Sequence, residues 1–165
     1  MRRVEHGGVG GSERRLTDEA ATARLGADIA GALRRGDFIA LSGPLGAGKS
    51  TLARGLVRAL AGADEEVPSP TFTLIQLYEG PDFPLAHLDL YRLKRPEEAW
   101  ELGLEDALAD GAAVVEWPER LGGDLPDDRL EVMLSPATDG DAGPETRLAR
   151  LSGFGSWSTR VAKLA

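Results

Sequence analysis

The 165-residue chain has no cysteine, no asparagine and only two histidines. Without cysteine there are no disulfides and no thiolate metal sites, an absence that is neutral about compartment. His6 and His87 stand far apart with no cysteine to join them, so His87 reads as a hydrogen-bonded structural residue and not as a ligand. No stretch approaches the roughly 20 apolar residues of a membrane span. No apolar segment follows Met1-Arg2-Arg3, so a secretory signal is not expected either. Basic charge is also short: Lys+Arg 19 against Asp+Glu 27 gives a net charge of −8. Such a surface repels phosphate backbones, which disfavours direct nucleic-acid binding and leaves a partner to supply any basic surface that RNA or DNA would need.

What is present is a globular composition, with 42% hydrophobic residues, at a length that suits one domain. Residues 1–15 are Gly- and Arg-rich without periodicity and read as a flexible tail, leaving 16–165 as the domain. Within it, Gly43-Pro44-Leu45-Gly46-Ala47-Gly48-Lys49-Ser50 spells G-x-x-x-x-G-K-[ST]. The apolar run Phe38-Ile39-Ala40-Leu41 precedes it as a buried strand. Leu52, Leu56 and Leu60 follow it at every fourth position, as one face of a helix. Strand, loop and helix in that order make a nucleoside triphosphate site. Gly43, Gly46 and Gly48 let successive N–H groups turn inward around a polyphosphate, and the helix N-terminus adds to the attraction. Lys49 is placed to reach the β- and γ-phosphates, and Ser50 to offer its hydroxyl to Mg²⁺.

The remaining pattern interleaves helices and strands. Thr17 is placed to cap a helix with Asp18 and Glu19 in its first turn and Leu25, Ile29 and Leu33 on its apolar face. Val67-Pro68-Ser69-Pro70-Thr71-Phe72-Thr73 is an extended connector, because each proline biases its predecessor away from helix. Residues 74–78 and 85–90 read as strands parted by Gly80-Pro81-Asp82, and 96–102 as a short helix opened by Pro96. Ala112-Ala113-Val114-Val115 suits a central strand covered on both faces. Alternation over 129–134 and 146–152 reads as an antiparallel hairpin at the sheet's edge, and 156–164 as a short helix. The expected fold is therefore α/β: a three-layer sheet like that of P-loop NTPases, mostly parallel, with an antiparallel edge hairpin.

A phosphate-binding loop needs a carboxylate at a nearby strand end for Mg²⁺. Asp89 and Glu116 both qualify, and on physical grounds their roles are exchangeable. Trp117 either covers the site or fills core volume. Ser69, Thr71 and Thr73 either meet a γ-phosphate, as switch loops do, or satisfy turn backbone. A guanine site usually carries Asn/Thr-Lys-x-Asp; with no asparagine and no such lysine, adenine is the expected base. A nucleotide site also favours the cytosol, so a cytoplasmic protein is expected.

Four separated segments then match one family in order and spacing. They are Gly43 to Thr51, Ser69-Pro70-Thr71-Phe72-Thr73-Leu74, His87-Leu88-Asp89-Leu90-Tyr91-Arg92-Leu93 and Val115-Glu116-Trp117-Pro118-Glu119. With the leading helix segment Leu16-Thr17-Asp18-Glu19-Ala20-Ala21-Thr22, they resemble the TsaE-type ATPases of bacterial tRNA threonylcarbamoyladenosine biosynthesis, over residues 16–134. The resemblance implies a P-loop ATPase with ATP and Mg²⁺ as cofactors. It implies two protein partners, including the threonylcarbamoyl-transferring subunit, and tRNA engaged only indirectly, to modify the adenosine beside the anticodon of tRNAs reading codons that begin with A. It further implies that Gly43, Leu45, Gly46, Ala47, Gly48, Lys49, Ser50, Thr51, Thr71 and Trp117 bind nucleotide. Lys49, Asp89 and Glu116 then act in hydrolysis, and Ser50, Glu116 and Asp89 serve the metal. Two departures stand out: Pro44 occupies a position where an acid is common, and Ser50 replaces a more usual threonine.

On this reading hydrolysis supports a partner complex's cycle and is not the transfer step. No arginine announces itself as a cationic finger, Arg92 being a weak candidate, so slow turnover alone and faster turnover in the complex are expected. The rival readings are a small-molecule kinase, for which Arg92-Leu93-Lys94-Arg95 is a short lid, and a non-hydrolysing module in which nucleotide orders the Ser69 to Thr73 loop.

Overall fold

The computed structural model describes residues 10–70 and 74–164. Seven strands form one sheet: β1 (Gly10–Leu16), β2 (Phe38–Ser42), β3 (Ile75–Glu79), β4 (Pro84–Asp89), β5 (Ala112–Glu116), β6 (Arg129–Pro136) and β7 (Arg147–Phe154). Their spatial order is β1-β7-β6-β2-β5-β4-β3. The centre, β6-β2-β5-β4, is parallel throughout, while β1/β7, β6/β7 and β3/β4 pair antiparallel. The mostly parallel α/β core is as expected, and the β6/β7 hairpin is present. β1 extends it by one strand, so β1 and not the hairpin forms that edge. Here the tail boundary at residue 15 is corrected. Gly10–Leu16 pairs along its length with β7 and buries Ser12 and Leu16, although its sequence GGSERRL carries almost no apolar signal.

Strand alternation sorts the core into two layers. Ile39 and Leu41 of β2 and Ala112 and Val114 of β5 face α1 (Glu19–Ala32) and α2 (Lys49–Ala61). Phe38, Ala40, Ala113 and Val115 face α3 (Glu97–Glu101), α4 (Leu104–Asp110) and the 3-10 segment Pro118–Asp124. The helix expected over 96–102 is thus followed at once by a second, α4, which the sequence pattern did not separate. The cap of α1 is Asp18 and not Thr17: its Oδ1 accepts from the Ala21 N–H at 2.8 Å. The C-terminal segment forms α5 (Trp157–Arg160) and a closing 3-10 turn.

Two contacts set the position of the loop that leaves β2. First, α1 and α2 approach until their backbones nearly touch. A Cβ on Gly26 would lie 2.2 Å from the Leu52 carbonyl oxygen, and one on Gly55 would lie 2.2 Å from that of Ala23. Second, Arg160 of α5 donates to both carboxylate oxygens of Asp37, at 2.9 and 2.7 Å, and to the Ala32 carbonyl at 2.6 Å. Asp37 in turn accepts from the Arg34 N–H at 2.7 Å. This buried fork fixes the turn between α1 and β2 and hence where β2 begins.

Candidate functional site

The carboxyl ends of parallel strands β2, β4 and β5 open on one rim of the sheet, and a cleft of about 340 Å³ lies there. The loop after β2 starts against β6: a Cβ on Gly43 would stand 2.3 Å from the Leu134 carbonyl oxygen, and Gly43 itself has φ 139°. Only glycine fits both conditions. The Ala47 N–H donates to the Pro44 carbonyl at 3.1 Å, which closes the turn using the one polar backbone atom proline keeps. Gly48, at φ 103° and ψ 10°, delivers the chain into α2.

Lys49 is the first residue of α2 and is 5% exposed. Its ammonium donates to the Gly43 carbonyl at 2.6 Å and lies 3.5 Å from the centre of the Trp117 ring. Burial pushes this amine below the ordinary lysine range, against the pull of the Glu116, Glu119 and Asp89 carboxylates. Its close contacts are thus one carbonyl and one aromatic face, neutral groups that an anion can displace. Trp117 reaches this place by adopting φ 59°, ψ 49° immediately after β5, a left-handed conformation that costs a non-glycine residue roughly 1 kcal/mol or more. Its ring also meets Tyr91, with centroids 4.9 Å apart and planes tilted by 53°. Trp117 both lines the cleft and packs, partly buried, against the core layer that holds Leu88 and Val115.

Asp89 and Glu116 are register partners at the ends of β4 and β5, so both reach the same face as α2. Both are buried, and both line the cleft with Ser50. Glu116 Oε2 lies 2.7 Å from His87 Nε2, while Asp89 Oδ1 accepts from the Tyr91 N–H at 3.0 Å. His87 therefore has the hydrogen-bonded role expected of it, and the partner is a site carboxylate. Among the described residues no group of three or more His, Asp or Glu side chains could hold a metal unaided. The hydroxyl of Ser50 with one or two carboxylates is nevertheless a hard oxygen set of the kind Mg²⁺ takes when waters and phosphate oxygens complete its shell.

The cleft brings together Leu45, Gly46, Gly48, Lys49, Ser50, Thr51, Asp89, Glu116 and Trp117. Gly43 and Ala47 shape the loop through backbone bonds from behind. Ser69 also lines the cleft, while Thr71 and Thr73 lie outside the described residues. None of residues 92–95 contributes to the lining. The sequence did not point to four further lining residues, Glu19, Thr22, Glu145 and Arg147, which come from α1 and from the turn into β7. Arg147 donates to the Ala47 carbonyl through Nε and to the Gly46 carbonyl through Nη2, both at 3.0 Å. No local pattern announces a contact between residues 100 positions apart.

Residues 16–143 match the family model described as threonylcarbamoyl adenosine biosynthesis protein TsaE. The chain belongs to the TsaE family. A tRNA threonylcarbamoyladenosine biosynthesis protein TsaE from Rickettsia bellii is 39% identical over 124 residues, covering 75% of this chain and 86% of that protein. The protein of that name from Streptomyces coelicolor is 42% identical over 141 residues, covering 82% and 93%. Against three other Rickettsia relatives the aligned part spans 59%, 61% and 60% of their length. The crystal structure of Bacillus subtilis YdiB superimposes with a TM-score of 0.77 at 27% identity, covering 94% of this chain and 95% of that one. The TsaE match includes the loop after β2, Asp89, Glu116 and Trp117, and it ends before Arg147. Among the described residues no helix is long and apolar enough to cross a membrane.

Proposed function

We propose that this TsaE-family chain binds Mg·ATP in the cleft and hydrolyses it in support of tRNA threonylcarbamoyladenosine formation in the cytoplasm. The observation that carries the reading is the convergence on one rim of a glycine loop, Lys49, Ser50 and two buried carboxylates from adjacent strands. The names of the matched relatives supply the pathway.

In this reading the amides of Gly46 and of residues 48–51 meet the phosphates, and Lys49 leaves the Gly43 carbonyl to join them. Ser50 and one of Asp89 and Glu116 hold Mg²⁺, and the other carboxylate orients the attacking water. Glu116, fixed by His87, is the better-held metal partner. Asp89, which lines the cleft beside Tyr91, suits the water. Mg²⁺, when bound, offsets charge on the phosphates. Trp117 and Tyr91 cover the Lys49 side and limit water access. Thr71, outside the described residues, belongs to the same proposal as a nucleotide-binding hydroxyl.

The protein works with two partner proteins, one the transferring subunit, which bring the tRNA; a net charge of −8 agrees with that division. Turnover by the isolated chain is slow and rises with the partners present. Calorimetry with ATP, with and without Mg²⁺, tests the first half, with tryptophan emission as a second reading that Trp117→Phe should abolish. Absence of magnesium-dependent affinity in folded protein overturns the proposal. Equal hydrolysis rates with and without the partners overturn its second half.

A further inference from the structure

We propose that Arg147 is a positioning residue for the loop after β2, bracing the carbonyls of Gly46 and Ala47 so that the loop keeps its turn, and the Gly48 N–H its direction, without a ligand. The proposal rests on the reading of that cleft as a triphosphate site.

Peptide planarity carries the argument. In a planar trans unit the C=O and the following N–H point in opposite directions, so holding one aims the other. The Gly46 carbonyl shares a plane with the Ala47 N–H, which closes the turn onto Pro44; Nη2 of Arg147 holds that carbonyl at 3.0 Å. The Ala47 carbonyl shares the next plane with the Gly48 N–H. Nε of Arg147 holds it at 3.0 Å, and the Gly48 N–H is thereby directed away from the guanidinium. A loop rich in glycine has many competing conformations, and ordering them on binding costs free energy that a pre-formed loop avoids.

Arg147 is itself held firmly. It is the first residue of β7, with Leu16 of β1 and Pro136 of β6 as register partners. Its Nη1 donates to the Pro144 carbonyl at 2.8 Å and the Thr146 carbonyl at 3.2 Å. The turn that carries it is pinned by buried Thr146, whose hydroxyl donates to the Thr17 carbonyl at 3.2 Å and accepts from the Gly143 N–H at 3.0 Å. The planar fork spans four carbonyls at once, which a lysine ammonium on a flexible stem does not reproduce.

The test compares the wild type with Arg147→Ala and Arg147→Lys, using a fluorescent ATP analogue with Mg²⁺ and steady-state hydrolysis in parallel. Affinity should fall about tenfold in both variants, the scale of one charge-assisted hydrogen bond. KM should rise by about the same factor and by more than kcat falls, since Arg147 spends its guanidinium on the loop carbonyls. Low millimolar guanidinium should restore part of the affinity of Arg147→Ala and none of that of Arg147→Lys. A merely structural residue would lower the unfolding midpoint without this larger change in KM or its rescue.

Wild-type affinity in folded Arg147→Lys overturns the brace while leaving the site reading intact. Failure of the wild type to bind Mg·ATP removes the site reading and the brace together. If Arg147→Ala does not fold, Arg147→Lys decides; if neither folds, the proposal is overturned, because the residue then serves the fold and not the grip.

Discussion

His87 Nε2 lies 2.7 Å from Glu116 Oε2, with both side chains buried. The pair exists because β4 and β5 are parallel neighbours in which His87 stands opposite Val114 and Asp89 opposite Glu116, so both side chains fall on the α2 face. His87 Nδ1 has no hydrogen-bond partner among the described residues. The imidazole therefore spends its polar contact on the carboxylate. Replacing His87 with Ala strips Glu116 of that donor and should cost roughly 3 kcal/mol of stability, the scale for orphaning a buried charged group. Urea unfolding measures it, and His87→Gln, which keeps an N–H donor, should recover part of the loss.

Lys49 should give the opposite pattern, because in the proposed reading its buried charge serves a ligand. Lys49→Met removes an ammonium that burial already disfavours, while keeping most of the packing against Trp117. The unfolding free energy should stay within roughly 1 kcal/mol of the parent. Nucleotide affinity, in the proposed reading, should fall at least about tenfold. Chemical denaturation and calorimetry on the same preparation check both halves; a large loss of stability would assign Lys49 to the fold.

Helix propensity and helix packing make opposed forecasts for Gly55. Propensity favours Gly55→Ala by about 1 kcal/mol. A Cβ there would sit 2.2 Å from the Ala23 carbonyl oxygen, and backbone cannot yield as a side chain does. Packing should win, and the variant should lose roughly 1–3 kcal/mol. Gly31→Ala is the control, since nothing lies within 4 Å of its Cβ position in α1. It should be neutral or more stable by up to about 1 kcal/mol, and urea titration of both variants decides the matter.

Acid should weaken one tie between β1 and the connection from β6 to β7. Arg15 pairs with Asp139 through both carboxylate oxygens, one of them at 3.0 Å from Nη2. The hydrogen bond from Arg15 holds the Asp139 carboxyl below the usual carboxylate range. A carboxyl with a lowered folded-state pKa contributes stability that is complete above its unfolded value and disappears as pH falls through the folded one. The unfolding midpoints of wild type and Asp139→Asn should therefore differ slightly at neutral pH and converge below the ordinary carboxylate range. Because the pair is exposed, added salt should shrink the difference.

What could be read from the sequence divides along one physical line. β2, the glycine loop, α2 and β5 were legible because each is specified by neighbours in sequence: a short apolar run, glycines at fixed spacing, leucines four apart. Asp89 and Glu116 were visible as strand-ending acids, yet only the β4/β5 register decides that they share a face and that His87 joins them. β1 escaped because it belongs to the sheet through its backbone; its side chains are mostly polar. Arg147, Glu145, Glu19 and Thr22 escaped because their place by the cleft depends on contacts across the fold.

Asp37 and Arg160 are separated by 123 positions, yet their fork fixes where the central strand starts. During synthesis the carboxylate at that corner has no guanidinium to meet until residue 160 has left the ribosome. Closure of the corner must therefore wait for a residue made 123 positions later, and a chain cut before Arg160 should leave the start of the middle strand without this brace.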